Sequence, residues 1–319
     1  MREGWVRHAE PVSVGAEQAA ALLRPALGEV GVREIRPVAG GLVNTNLRVT
    51  LDRPPGTVLL RLITREPPQA QKEAALSRLL AGRVPAARFL YLAETNPITR
   101  GPYAVLQWIE GERLDRAAAR ADAAALDGLG EAVGAALARV HAFRFARHGF
   151  LTPDLRTTAA IGFDRTALLD FLRECLVRGP GGARLGVTLT NRVLDFAARE
   201  GWRLDAWLDD PRLVHGDFNP SNILVRDGSV AAVLDWEFAL SATPAFDFAN
   251  LLRPSLGTRA GFAAGLARGY GRGGGVLPAD WQRIAQIVDL FAWADLLGRR
   301  PFDAALAADA RRVIGALVA

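Results

Sequence analysis

The sequence predicts an α+β chain: a small sheet-plus-helix lobe followed by a larger, mostly helical lobe. Three observations carry that expectation. Residues 35–109 read as β-β-β-α-β-β with no repeated β-α-β unit, which argues against a doubly wound parallel sheet. After Gly111 the apolar periodicity becomes that of amphipathic helices. The chain has 319 residues, half of them hydrophobic, which is ample for two lobes with a real core.

Local signals support each element in turn. "EIRPVAGGLVNTNLRVTL" (34–51) contains two β-like pieces around Gly40 and Gly41, and "DRPPG" reads as a turn. "TVLLRLIT" (57–64) is a strand. "PPQAQKEAALSRLLAG" (67–82) is a helix, with prolines at its start and Gly82 near its end. "ARFLYLAE" and "YAVLQWIEG" are two more strands, and "EGERLD" is the expected joint between lobes 1–108 and 109–319. Helical patterns then cover 122–143, 164–179 and 190–208. Beyond Pro244 the chain reads as helical to its end, broken by "GYGRGGG" (269–275). The glycine-rich segments 178–186 and 271–275 are expected to be mobile.

Bulk properties exclude several classes. The start "MREGWVRHAEPVS" is charged and lacks the apolar core of a secretory signal. No apolar run approaches the roughly 20 residues of a membrane span, so the expectation is a cytoplasmic protein without membrane association. Cys175 is the only cysteine, and His8, His141, His148 and His215 are scattered, which argues against a disulfide framework and a cysteine or histidine metal centre. The net charge is +5. Lys72 is the only lysine, and the arginines are spread along the chain without a basic patch for nucleic acid. The mild positive field suits an anionic small ligand such as a nucleotide.

Chemistry concentrates in "LVHGDFNPSNILV" (213–225) and "LDWE" (234–237). Two aspartates, Asp217 and Asp235, with Asn222 make a hard-oxygen set of the kind magnesium takes alongside phosphate oxygens. If Asn222 and Asp235 hold metal, Asp217 remains to orient a hydroxyl and accept its proton. Pro220 and Ser221 are ordinary turn residues.

The frame His215-x-Asp217-x-x-x-x-Asn222, followed by Leu234-Asp235-Trp236-Glu237, resembles the aminoglycoside phosphotransferase family and its choline kinase-like and homoserine kinase-like relatives. The resemblance implies a protein-kinase-like two-lobed fold with an antiparallel N-lobe sheet. It also implies ATP or GTP with Mg2+, and transfer of the γ-phosphoryl group to a small-molecule hydroxyl. Asp217 would be the catalytic base, His215 a brace for the loop, and Asn222 and Asp235 the metal ligands. Asp247 of "FDFANLL" would fix the loop's backbone. "VAGGLVNTNLRV" resembles the loop over the phosphates, with Gly40, Gly41, Asn44, Thr45 and Asn46 as candidate contacts. Arg61 stands where the family carries a phosphate-binding lysine, and Glu73 would be its partner. Lys72 is expected to be solvated. Backbone groups from Gln107 through Trp108 to Ile109 would hold the base. His141 matches a recurrent position and is expected to be packed.

Acceptor identity stays open. A polycationic aminoglycoside would want acids such as Glu237, Asp247, Asp289 or Asp295; a homoserine-like acceptor would want an arginine. A macrolide would want aromatics such as Trp281, Phe291 and Trp293, which at helical spacing also suit a core. Sugar and choline remain further candidates, and the chain is expected to be a monomer or homodimer. The arginine at 61 keeps one alternative in play, a nucleotide-binding pseudokinase or regulatory module.

Overall fold

The computed structural model describes residues 12–38, 44–63, 67–299 and 304–319. Five strands form an antiparallel sheet: β1 (Val32–Pro37), β2 (Thr45–Leu51), β3 (Thr57–Leu62), β4 (Phe89–Ala93) and β5 (Tyr103–Gln107), in the order β1-β2-β3-β5-β4. Burial along β2 alternates strictly, so the sheet has two distinct faces. Leu47, Val49, Val58 and Leu60 pack on one face against Ala19, Leu22 and Leu23 of helix α1 (Ala16–Leu27). The other face carries Ala104 and Leu106, against Ala70 of helix α2 (Pro67–Leu80).

Helix α1 has no counterpart in the sequence reading. Its signals were present: Gly15 with Gln18 three residues on, whose side chain accepts from the Gly15 N–H at 2.9 Å, and Gly28 at φ 71° beyond the last turn. Pro25 conceals the pattern because a proline normally breaks a helix; here it lies in the final turn.

Two helices of the second lobe, α3 (Leu114–Arg120) and α4 (Ala123–His141), follow the joint, and Asp122 caps α4 by accepting from the Ala125 N–H at 2.8 Å. A short sheet with the order Gly149–Phe150, Leu240–Ala242, Arg212–Val214 feeds directly into His215. Residues Ile223–Arg226 and Ser229–Val233 form a hairpin closed by Asp227 and Gly228, both at positive φ. That is the two-residue turn that Asp-Gly favours. The register Ile223↔Val233 continues into Leu234 N–H to Asn222 O at 2.8 Å, so the hairpin returns Asp235 to the side of Asn222.

The glycine-rich segments of this lobe are packed. "GYGRGGG" breaks the final helices at Gly273, as expected, while its first four residues lie inside the helix Phe262–Arg272, which packs closely on α4. The glycines are the contact. A Cβ on Gly134 would stand 2.1 Å from Leu266 O, and one on Gly269 would stand 2.0 Å from Glu131 O. Glycines four apart on both helices bring the backbones together, as in membrane helix pairs. Segment 178–186 is likewise packed: it contains the short helix Gly181–Leu185, with Leu185 in the main core. Phe163, Phe171, Phe246 and Phe291 form an aromatic cluster that also buries His148. Trp293 is core, as helical spacing suggested.

Two measurements follow. Gly134→Ala should lower stability by roughly 1–3 kcal/mol through overpacking. Gly271→Ala, where a Cβ meets nothing within 4 Å, should cost nothing. Denaturant unfolding of both variants checks this, and equal stabilities would overturn the contact. Burial pushes the His148 imidazole below its ordinary value, against the opposing pull of Asp209 and Asp210. The unfolded chain therefore takes up this proton more readily, and stability should fall as pH drops below about 6.5. A His148→Phe variant should lose that part of the acid dependence in melting curves taken from pH 7.5 to 5; an unchanged slope would contradict the assignment.

Candidate active site

The loop 215–222 is fastened from below by one carboxylate. Asp247, on the helix Ala245–Leu251, accepts from the His215 N–H at 2.8 Å and the Gly216 N–H at 3.0 Å. His141, at the C-terminus of α4, places Nε2 3.1 Å from the same carboxylate. The carboxylate can only accept, so Nε2 carries the proton. His141 Nδ1 meets the Tyr270 hydroxyl at 3.0 Å, and burial raises the Tyr270 phenol, which stays protonated. Asp247 and His141 are both fully buried. Gly216 takes φ 78°, and a Cβ there would lie 2.4 Å from Phe238 O, so this position of the loop excludes a side chain.

Above this anchor the side chains hold one another. The Asp217 N–H donates to His215 Nδ1 at 3.2 Å, which fixes the tautomer: Nε2–H must donate, and it does, to Leu234 O at 2.8 Å. The ring also packs against Trp236 at 4.7 Å. Asp217 Oδ1 accepts from Asn219 Nδ2 at 2.7 Å and Oδ2 from Asn222 Nδ2 at 3.0 Å. Asn222 Nδ2 also reaches Asp217 O at 2.9 Å, which turns its Oδ1 to the opposite side. Asn219 caps the turn Pro220–Asn222 by accepting from the Ser221 N–H at 3.1 Å. Asp235 sits at φ 68° and ψ 61°, a left-handed conformation that a non-glycine residue adopts at a cost. Leu234, just before it, is held at both polar groups, its N–H by Asn222 and its C=O by His215.

The sheet supplies a cation. Arg61 on β3 is buried; its Nη1 donates to Glu73 Oε2 at 3.0 Å and its Nε to Asn46 Oδ1 at 3.0 Å. This is the expected Arg61–Glu73 pairing, with Asn46 on the same face because it is the cross-strand neighbour of Arg61. Thr45 departs from expectation. Strand alternation puts it on the α1 side, where its Oγ accepts from the Val12 N–H at 3.2 Å, so this side chain does not join Arg61. Asn44 is buried at the start of β2. Gly40 and Gly41 lie outside the described residues. Lys72 is a second correction: it is buried, with Nζ 2.7 Å from Glu237 O and 3.2 Å from Ala239 O.

The ladder of β5 ends at Gln107, and residues 108–111 form a joint outside any strand. The backbone of Trp108 and Ile109 thus leaves the sheet where a base is expected to bind. Trp108 Nε1 donates to Glu110 at 2.7 Å, and the Arg48 guanidinium lies over the Trp108 ring at 5.1 Å. Among the candidate acids for an acceptor, Asp247 is taken by the loop and Asp289 by bidentate Arg253 and Trp293. Asp295 pairs with Arg299 at 2.5 Å, and Glu237 is buried. The Cys175 thiol is pushed up to about 11, chiefly by burial, so it is no thiolate nucleophile at neutral pH.

Comparison with known proteins adds three findings. The model of the phosphotransferase enzyme family matches residues 34–287. No curated protein sequence matches significantly. Solved structures share the fold. A thermostable mutant of aminoglycoside phosphotransferase APH(4)-Ia, in ternary complex with ADP and hygromycin B, superposes with a TM-score of 0.69 at 17% identity, over 94% of this chain and 98% of the other. The GDP and kanamycin complex of an APH(2")-type enzyme gives 0.66 at 15% identity, over 94% and 97%. Macrolide 2'-phosphotransferase MphH from Brachybacterium faecium gives 0.60 at 20% identity, over 95% and 97%.

The anchor is open to a direct test. Asp247→Asn replaces an accepting oxygen by an N–H facing other N–H groups. It should destabilise the fold by on the order of 3 kcal/mol, because buried donors are left unsatisfied. Denaturant unfolding that showed a loss below about 1 kcal/mol would mean that the His215 and Gly216 amides find other partners.

Proposed function

The chain belongs to the phosphotransferase enzyme family, and we propose that it transfers the γ-phosphoryl group of ATP or GTP, with Mg2+, to the hydroxyl of a small molecule. The observation that carries this reading is the joint placement of Asp217, Asn222 and Asp235: the loop carboxylate is held by Asn222, and the hairpin bonds Leu234, the residue before Asp235, to Asn222. We assign the nucleotide to residues 1–108 and the joint, and the chemistry and acceptor to residues 109–319.

The donor set suits magnesium. Among the described residues no three His, Cys, Asp or Glu converge into an all-protein cage. Magnesium asks for less: one or two carboxylates, with phosphate oxygens and waters completing the shell. Asp235 supplies a carboxylate, and Asn222 turns its Oδ1 away from Asp217. Asp235 and Asn222 would hold the ion, which would supply neutralisation of the charge that develops on the phosphate. Asp217 orients the acceptor hydroxyl and takes its proton, and its two hydrogen-bond donors hold the carboxylate in one rotamer. Arg61 pairs with phosphate oxygens while Glu73 and Asn46 hold its guanidinium in place. Asn44 and Asn46 are assigned to the phosphates, and the backbone of 107–109 to the base. Such catalysis is positioning and electrostatics.

The acceptor reading narrows on charge. Of the four acids considered for a polycationic acceptor, Asp247, Asp289 and Asp295 each pair within the protein and Glu237 is buried. An aminoglycoside would therefore have to be met by other acids of the second lobe. Phosphorylation assayed across aminoglycosides, macrolides, sugars, choline and homoserine, each with ATP and GTP, tests the whole reading. Asp217→Ala should reduce turnover by about 10²–10⁴-fold on whichever acceptor responds. A variant with full activity would remove Asp217 from the chemistry, and nucleotide binding without transfer across the panel would favour a pseudokinase.

A further inference from the structure

We propose that Lys72 is a positioning residue: its ammonium joins α2 to the segment that follows Asp235 and so fixes the separation between Arg61 and the metal-ligating acid. The inference rests on the kinase reading above. Composition supplies the first argument. Of 39 basic side chains, 38 are arginine, and the single lysine is this one. A chain so biased toward guanidinium retains an ammonium at a buried place between its lobes.

Geometry supplies the reason. Lys72 Nζ lies 2.7 Å from Glu237 O and 3.2 Å from Ala239 O. Those carbonyls stand two residues apart, at the turn Trp236–Phe238 and just past it. An ammonium is a compact donor with three rotatable N–H groups and reaches both; a guanidinium is a wide planar fork and would have to push the turn aside. Gln69, one helical turn earlier on α2, also donates to Glu237 O.

Position along the helix completes the argument. Glu73, the next residue, holds Arg61. Successive helical residues point about 100° apart, so α2 grips the sheet with one side chain and the Asp235 segment with its neighbour. Leu76 and Leu80 seat the rest of the helix in the large core of the second lobe. The phosphate-pairing arm and the metal-ligating acid are thereby tied to one rigid rod. Two of the three ammonium donors of Lys72 are thereby directed at carbonyls of the second lobe.

The test uses the full chain with two readouts. First, amide hydrogen exchange over 234–242 is measured without ligand. In Lys72→Met it should quicken about tenfold, with α4 unchanged, as for local opening. Second, binding of fluorescent ATP and GTP analogues is titrated with Mg2+. The Mg2+ concentration for half-saturation should rise roughly tenfold, as for lost outer support of a metal site. Affinity for the same analogues in EDTA should stay unchanged. Lys72→Arg should not restore either readout. Should Lys72→Met fail to fold, Lys72→Gln, which keeps an amide donor, serves in its place and should give the same two changes in smaller measure. Wild-type exchange together with wild-type Mg2+ dependence in a folded variant would overturn the proposal. If the wild-type chain binds neither analogue with Mg2+, the kinase reading itself falls; the exchange measurement, which needs no ligand, still decides the Lys72 link.

Discussion

The Asp247 carboxylate is the constraint on which the site depends. A loop that presents Asp217 rigidly must satisfy its own buried amides, and backbone N–H groups cannot be left orphaned at little cost. Asp247 meets two of them at once. Its own orientation comes from His141 on α4, and His141 is held in turn by Tyr270 on the helix that packs against α4 through glycines. Helix packing at van der Waals contact thus reaches the candidate catalytic loop through three hydrogen-bonded side chains.

The same economy governs the second half of the site. The two-residue Asp-Gly turn closes the hairpin, and a one-residue bulge between Val230 and Ala232 shifts the register so that Leu234 stands opposite Asn222. His215 then closes the circuit, accepting from the loop at Nδ1 and donating to Leu234 at Nε2. A side chain with one acceptor and one donor at a fixed separation is what that circuit needs, and neutral histidine is the residue that provides it. Asp235 can hold a left-handed conformation because the residue before it has both polar groups tied down.

Legibility from sequence followed the range of the interaction. The loop with its second aspartate was visible because the chemistry dictates residue types at a short spacing. The β-β-β-α-β-β order was visible because periodicity is local, and Arg61 with Glu73 because strand and helix are consecutive. Other features depend on what lies across the fold. Gly269 reads as part of a breaker until the facing helix α4, whose Gly134 comes against Leu266 as Gly269 comes against Glu131, gives it a packing role. Thr45 and Asn46 are adjacent in sequence but lie on opposite faces of the sheet, and only parity with Arg61 tells which one meets it. The burial of Lys72 left no local trace, because its partners are backbone carbonyls more than 160 residues away, which carry no residue-type signature.

Arginine at position 61 bears on whether the site is built for turnover. A guanidinium has five N–H donors in one plane. The Nε donor meets Asn46 and one Nη1 donor meets Glu73, so the side chain is locked from two directions with further donors in the same plane. An ammonium held by Glu73 alone would lack that second lock, since its three donors rotate freely about a flexible stem. The buried Arg61–Glu73 pair contributes little net stability after desolvation. Its value is orientation, which the proposed pairing of Arg61 with phosphate would need. The exchange of lysine for arginine therefore reads as a different way of building the same cation, and it weakens the pseudokinase alternative that the exchange had raised.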